Sequence, residues 1–470
     1  MLFLIFISHN PHKFGVYKIL KRFHIVTTHN PTLVFISQYY EEINSWIESI
    51  EFKEQYLETN HPYPPMLNPK RLSARNSKNK EQESLESKSI VEIQPYPNLS
   101  YNNLSAQIAW DLNLPLPPYY QFVYWGSHGT GNTGLHTFLN YCGMSSCCYE
   151  RGGANIYKGY FKQIINHYNE QRKYIYLAIR IYIEDEKFYA LISNVPSLNL
   201  VRDPISMLKH YMGVKRATNK QCRTITLLTN PDEICQNLVQ YGNGAKYPPL
   251  ELSEYWINFK YMCFHDTQLK NALINLQDSI IIDMSEIVGE RAFETIKRLS
   301  QSLGFPAPKE EERERFKENI SQYNALLPLS LFIKSKKKNI YIYLMDKVYK
   351  DDKVYQNLTP FLFNQDCFYD RIIVCANKKD FEILKQDTKI LEEVKDYLLR
   401  FIQRLQEQKN IEDTKKITES QVLEYLREHK DLRIRFKHIL DEHLAYIKKE
   451  RPDIVESWKY YQEFERMCEE

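Results

Sequence analysis

The chain has 470 residues, 43% of them hydrophobic and 13% aromatic, enough for a sizeable core in one large domain or in two to three of ordinary size. Lys plus Arg (62) nearly balance Asp plus Glu (59), and a net charge of +3 gives no ground for nucleic acid as a main partner. Nine cysteines, with no Cys-x-x-Cys pair and no zinc-type His spacing, speak against a disulfide framework and fit a reducing compartment.

Residues 1–60 begin with "MLFLIFISHNPHKF", an apolar run too short for a membrane span, without a basic flank before it or a small-residue cleavage site after it. No stretch reaches 18 apolar residues, so the chain reads as cytoplasmic, with no integral membrane segment and with 1–60 as an N-terminal extension. From 61 to 98 the composition turns to Pro, Ser, Asn, Lys and Glu. Such a segment buries too little apolar surface to offset chain entropy and reads as a flexible linker.

Residues 99–330 alternate strand and helix signals. Tyr119–Trp125 reads as a strand, Thr133–Tyr141 as a helix, "YKGYFKQIINHYNEQ" as a second helix and "KYIYLAIRIYI" as a β-rich run. "SLNLVRDP" reads as a short strand before the helix "ISMLKHYM", and "SEYWINFKYMCFHDTQLKNALINL" as one long helix. "DSIIIDMSEI" reads as a strand and "RAFETIKRLSQSLG" as an amphipathic helix closed by glycine. This order predicts an α/β fold, a parallel sheet with helices on both faces and ligands at the carboxyl ends of its strands. Residues 331–470 are mixed at first and then helical; the amphipathic helices of that tail pack on the core or receive a protein partner.

Between the first strand and its helix, Gly126 to Gly131 has the G-x-x-x-x-G spacing of a phosphate-binding loop, followed by Asn132-Thr133 where nucleoside-triphosphatases carry Lys-Ser/Thr. Glycines let backbone N–H groups turn inward around an anion, and the helix adds the positive end of its dipole. Asn132 supplies no charge, so the loop suits a phosphate but not the β/γ-phosphates and Mg²⁺ of ATP. The same kind of turn also serves purely structural roles. Arg202-Asp203-Pro204 closes the "SLNLV" strand, and the planar fork of Arg202 suits phosphate oxygens, with His210 eight residues on, about two turns along. Beside the loop, this corner is a second anion site on one sheet edge.

The loop "GTGNT", the strand end "LVRDP" and the run "SIIIDMSEIVGERAFETIKRLSQSLGFPAP" resemble the sulfotransferase superfamily, which uses 3′-phosphoadenosine 5′-phosphosulfate (PAPS), over about residues 119–310. The resemblance implies a P-loop, sulfotransferase-like fold with a helical C-terminal tail. It further implies transfer of a sulfuryl group from PAPS to a hydroxyl of a glycan or sugar precursor, with no metal. Ser127, His128, Gly129, Thr130, Gly131, Asn132, Thr133 and Gly134 would then hold the 5′-phosphosulfate, and Arg202 and His210 the 3′-phosphate. Two departures follow: the family's basic loop residue falls on Gly129, with His128 beside it, and its 3′-phosphate serine falls on His210. The polysaccharide-acting branch takes its base from a Glu downstream of the loop; Glu150 lies 21 residues past Gly129, and His136 on the loop helix is the other candidate. The missing loop cation equally suits a degenerate, non-catalytic nucleotide fold whose helical tail mediates protein interaction. The C-terminal stretch, with "LDEHLAYIKKERPDIVESWKYYQEFERMCEE", resembles an uncharacterised domain family of epsilon-proteobacteria.

Overall fold

The computed structural model describes residues 13–23, 25, 27, 29–73, 93–148, 155–218, 223–259, 262–277, 279–320, 323, 325–334, 338–347, 354–363 and 371–469. Helices α1 (Lys13–Arg22), α2 (Asn30–Gln38), α3 (Tyr40–Ile47) and α4 (Ala106–Asp111) precede strand β1 (Phe122–Trp125). All four residues of β1 are buried, as expected for a strand inside a parallel sheet covered on both faces. The chain continues through α5 (Asn132–Tyr141), β2 (Met144–Cys148), α6 (Ile156–Asn169), β3 (Tyr174–Ile179), β4 (Ser197–Val201) and α7 (Pro204–Met212). Then come β5 (Thr224–Ile225), α8 (Pro231–Gln236), α9 (Ser253–Asn258), α10 (Asp266–Ala272), β6 (Ser279–Asp283) and α11 (Arg291–Leu303).

The first sheet has the order β2-β3-β1-β4-β6, and each pairing in it is parallel. Strand β1 is central, with β3 on one side and β4 on the other, so the loop leaving its carboxyl end stands where the chain's direction across the sheet reverses. In open α/β sheets that is the ligand-binding position. The alternation of side chains sorts the core: Phe122, Tyr124, Leu198 and Leu200 pack with α5 and α11 on one face, while Val123, Trp125, Leu177 and Ile179 pack with α1 to α3 and α6 on the other.

Several expectations change here. Where it is described, the N-terminal stretch is part of the main core rather than an appendage: Ile36, Ile43, Trp46 and Phe52 share one apolar cluster with Val123 and Trp125. The described ends of the expected linker also pack, because several of their apolar residues are inserted. Met66, Leu67 and Leu72 are fully buried, and Tyr96 accepts a hydrogen bond from Asn68 N through its hydroxyl oxygen; residues 74–92 lie outside the described residues. The single long helix over 253–276 is two, α9 and α10, separated by a turn with Phe264 at φ +54°. Tertiary contacts override the helical pattern there: Cys263 and Phe264 are buried, and His128 N donates to Met262 O at 3.0 Å.

A second sheet follows, made of β7 (Leu329–Ile333), β8 (Ile340–Asp346), β9 (Gln356–Asn357) and β10 (Ile372–Ala376), in the order β9-β10-β8-β7-β5. Its pairs are antiparallel except β5 with β7, so the boundary expected at 330 does not hold, because β5 comes from before it. Alternate residues of β7 and β8 are buried under α12 (Lys378–Lys385) and the 27-residue α13 (Thr388–Thr414). The chain closes with α14 (Glu419–Glu428), α15 (Lys430–His443), α16 (Ala445–Glu450), α17 (Pro452–Ser457) and α18 (Lys459–Glu469). These helices bury Val422, Phe436 and Phe464 against Val201, Ile205 and Ile281, on the β4–β6 side of the first sheet. Among the described residues no helix is long and apolar enough to cross a membrane.

Candidate functional site

The glycine loop bends because it must. Gly131 caps α5 at φ +107°, and Gly129 sits at φ +83° with Tyr211 so near that an added Cβ would lie 2.9 Å from its Cε1. Inside the bend the loop's own side chains fill the space. Asn132 Nδ2 donates to Ser127 O at 3.3 Å, its Oδ1 accepts from the Tyr124 hydroxyl, and Thr130 Oγ1 stands 3.0 Å from Ser127 O and 3.1 Å from Asn132 Oδ1. Ser127, Thr130 and Asn132 are buried, whereas Thr133 is exposed and Gly134 has open space around it.

Beneath the loop, Ser127 donates twice to one carboxylate oxygen, Asp266 Oδ1, from N at 3.0 Å and from Oγ at 2.7 Å. Asp266 in turn donates its N–H to His443 Nδ1 at 3.1 Å. Burial raises the Asp266 pKa and pushes His265 and His443 down, to about 4 and about 3. Neutral rings and a carboxylate under strong desolvation thus form the floor of the loop.

Arg202 does reach the loop: its Nη1 donates to Gly129 O at 2.9 Å, and the Tyr211 hydroxyl donates to His128 O. His210 lies exposed at the surface with Arg202, Lys209 and His128 as its charged neighbours. The loop, Arg202 and His210 therefore converge on one edge of the sheet, but their surroundings are anionic. Glu419, the first residue of α14, pairs with Lys209 and accepts from Ser206 Oγ at 2.9 Å. Asp203 caps α7 by accepting from Ile205 N at 2.8 Å, and its second oxygen accepts from Tyr460 N and Tyr461 N, at 3.1 Å each, at the start of α18. Asp283 repeats the device, accepting from Ser285 N and from Trp458 Nε1. The carboxylates of the strand ends are ties that fasten the C-terminal helices over this edge.

Of the two candidate bases, Glu150 lies outside the described residues. His136 holds the Tyr176 hydroxyl at Nδ1, and burial, then Arg180, push its pKa down to about 3. A ring whose pKa lies so far below neutral pH is a weak general base. Arg180, at the end of β3, acts on Tyr124, Tyr176 and His136 and places a cation beside the start of α5. Among the described residues no group of His, Cys, Asp or Glu is arranged to hold a metal ion.

A bisphosphorylated adenosine needs inward-facing N–H groups and unpaired cations. Here the first loop donors face Asp266, the Asn132 carboxamide closes the interior, and Glu419 neutralises Lys209. In this arrangement the interior of the bend is occupied by the chain's own side chains. Asp266 escaped sequence reasoning because it sat inside a stretch read as continuous helix; Glu419 had a signal, since Thr418 and Gln421 form a capping box that marks the start of α14.

No curated protein and no solved structure matches the chain. Residues 281–470 match the model of a family described as protein of unknown function (DUF2972). The match runs from β6 through the second sheet to the closing helices and stops short of the loop and Arg202.

Proposed function

We propose that the chain is a degenerate, non-catalytic nucleotide-type fold whose helical tail, fixed as a cover over the sheet's ligand edge, mediates protein interaction rather than group transfer. The Asp266 carboxylate, accepting both the N–H and the hydroxyl of Ser127, carries this reading. It provides from within the chain the negative charge that a phosphate would bring, and a second anion beside it meets like-charge repulsion in a poorly hydrated place. Isothermal titration with adenosine 3′,5′-bisphosphate tests the reading. The expected result is no saturable heat from the native chain or from Arg202→Ala, and no sulfuryl transfer from PAPS to a panel of glycans. Saturable binding that Arg202→Ala abolishes, or measurable transfer, overturns it.

A second reading, sulfuryl transfer from PAPS to a sugar hydroxyl, is favoured by the convergence of Arg202 and His210 on the loop. It requires Glu419 to leave Lys209 and Ser206. Under this reading Glu419→Ala gains affinity for the bisphosphate, by about tenfold or more for the loss of one paired carboxylate; under the first reading it gains none.

A further inference from the structure

A crevice of about 270 Å³ opens between α5 and strand β2, lined by His136, Asn140, Ser146, His167, Arg172 and Tyr176. Strand β2 ends the sheet, so among the described residues no further strand covers this flank. His136 and Asn140 are four residues apart and share one side of α5. Ser146 is opposite Tyr176 in the β2–β3 register, which sets both on the same face.

Two of the residues that line the crevice each keep one buried ring nitrogen without a hydrogen bond, His136 Nε2 and His167 Nδ1. A buried polar atom left without a partner is costly, and a ligand that supplies the partner recovers that cost. The His167 Nε2 lies 3.2 Å from Ser146 O, and a carbonyl only accepts, so in the neutral ring Nε2 carries the proton and Nδ1 is a bare acceptor. His136 Nδ1 is engaged by the Tyr176 hydroxyl, leaving Nε2 to donate or accept according to which of the two supplies the proton.

These demands select a ligand chemistry. An oxyanion would set lone pairs against the bare Nδ1 of His167, with Glu170 only 4.0 Å beyond it. A cation would meet Arg172, whose own charge is already matched by Glu170 at 3.3 Å. A hydroxyl can donate to His167 and do either at His136, while Ser146 and Asn140 also work in both directions. The volume falls just under the range of about 300–1,000 Å³ typical of sites for drug-sized ligands.

We infer that this crevice is a binding site for a small neutral polyol of monosaccharide size. No loop residue lines it, so the site is independent of the reading given to the loop. Calorimetric titration of the full chain with glucose, galactose, mannose and N-acetylglucosamine, and separately with inorganic phosphate, is the test. At least one sugar binds saturably in the millimolar range or tighter, phosphate does not compete, and His136→Ala weakens binding about tenfold or more. Asn140→Trp, at an exposed helix position, fills the crevice without disturbing the core and abolishes binding. Absence of binding by all four sugars, competition by phosphate, or unchanged affinity in Asn140→Trp overturns the assignment.

Discussion

Helix α5 meets its surroundings on two polar fronts. At its N-terminus, Ser127, Thr130 and Asn132 bond to one another, to Tyr124 and to Asp266, and Arg202 closes on the Gly129 carbonyl. Along its side, His136 and the facing His167 each keep a buried nitrogen without a hydrogen bond. The glycine spacing that draws the eye marks a front whose loop donors are taken up by the chain itself, above a His265 ring that also keeps both nitrogens buried without a hydrogen bond, and the front along the helix side carries no motif. Glycines report a bend in the backbone; a need for ligand shows in orphaned polar atoms.

The loop front has the largest expected response, and it is to acid. His265 and His443 have folded pKa values of about 4 and about 3, against 6.5 in the unfolded chain. The unfolded chain takes up these protons first, so their contribution is complete above about pH 6.5 and is lost as pH falls from there through about 4. Two such groups together remove about 2–3 kcal/mol per pH unit below 6.5. Asp266, whose pKa is raised by burial, acts in the opposite sense. Urea midpoints measured from about pH 7 to about pH 5 should fall steeply, and more gently in His443→Gln. A flat profile would break the comparison, since it would mean that the floor of the loop is hydrated.

Next in size is the loss of Asp266 itself. Asp266→Ala leaves the Ser127 N–H and hydroxyl without an acceptor in a dry place and costs about 3 kcal/mol, whereas Asp266→Asn keeps an oxygen there and costs less. Denaturant midpoints of the two variants decide it. Equal losses would show that the negative charge, rather than the acceptor, is what the loop requires.

The parallel sheet was legible because its strands are apolar on both faces: "FVYW", "YIYLAI", "SLNLV" and "SIIID" each read as buried strands and are β1, β3, β4 and β6. Strand β2 was not, since "MSSCC" has neither branched side chains nor alternation and is ordered by its ladder with β3. The convergence of Arg202 on the loop was readable from two strand ends on one sheet edge. What fills that edge was not, because Asp266 and Glu419 arrive from sequence 139 and 292 positions beyond Ser127 and bond through contacts that no local pattern encodes. His136 was visible as a helix residue, but its crevice depends on Ser146 and His167, and hence on a strand the sequence hides.

The smallest effects separate the loop from the helix it precedes. Gly129→Ala places a Cβ in the left-handed region and against the Tyr211 ring, so it should destabilise by about 1–2 kcal/mol from conformation alone and loosen the Tyr211 contact with His128 O. Gly134, five residues on, lies in the first turn of α5, where a Cβ meets nothing within 4 Å. Alanine there should stabilise by up to about 1 kcal/mol, through helix propensity and a less free unfolded chain. Opposite signs in urea denaturation would place the border between strained loop and ordinary helix at Gly131. The Gly134 result sharpens the comparison further: an open, unstrained turn that tolerates a methyl group leaves the Gly134 side of the first turn of α5 free of close protein contacts, so that any residual anion affinity of this fold must come from Thr133 and Gly134 rather than from the filled bend behind them.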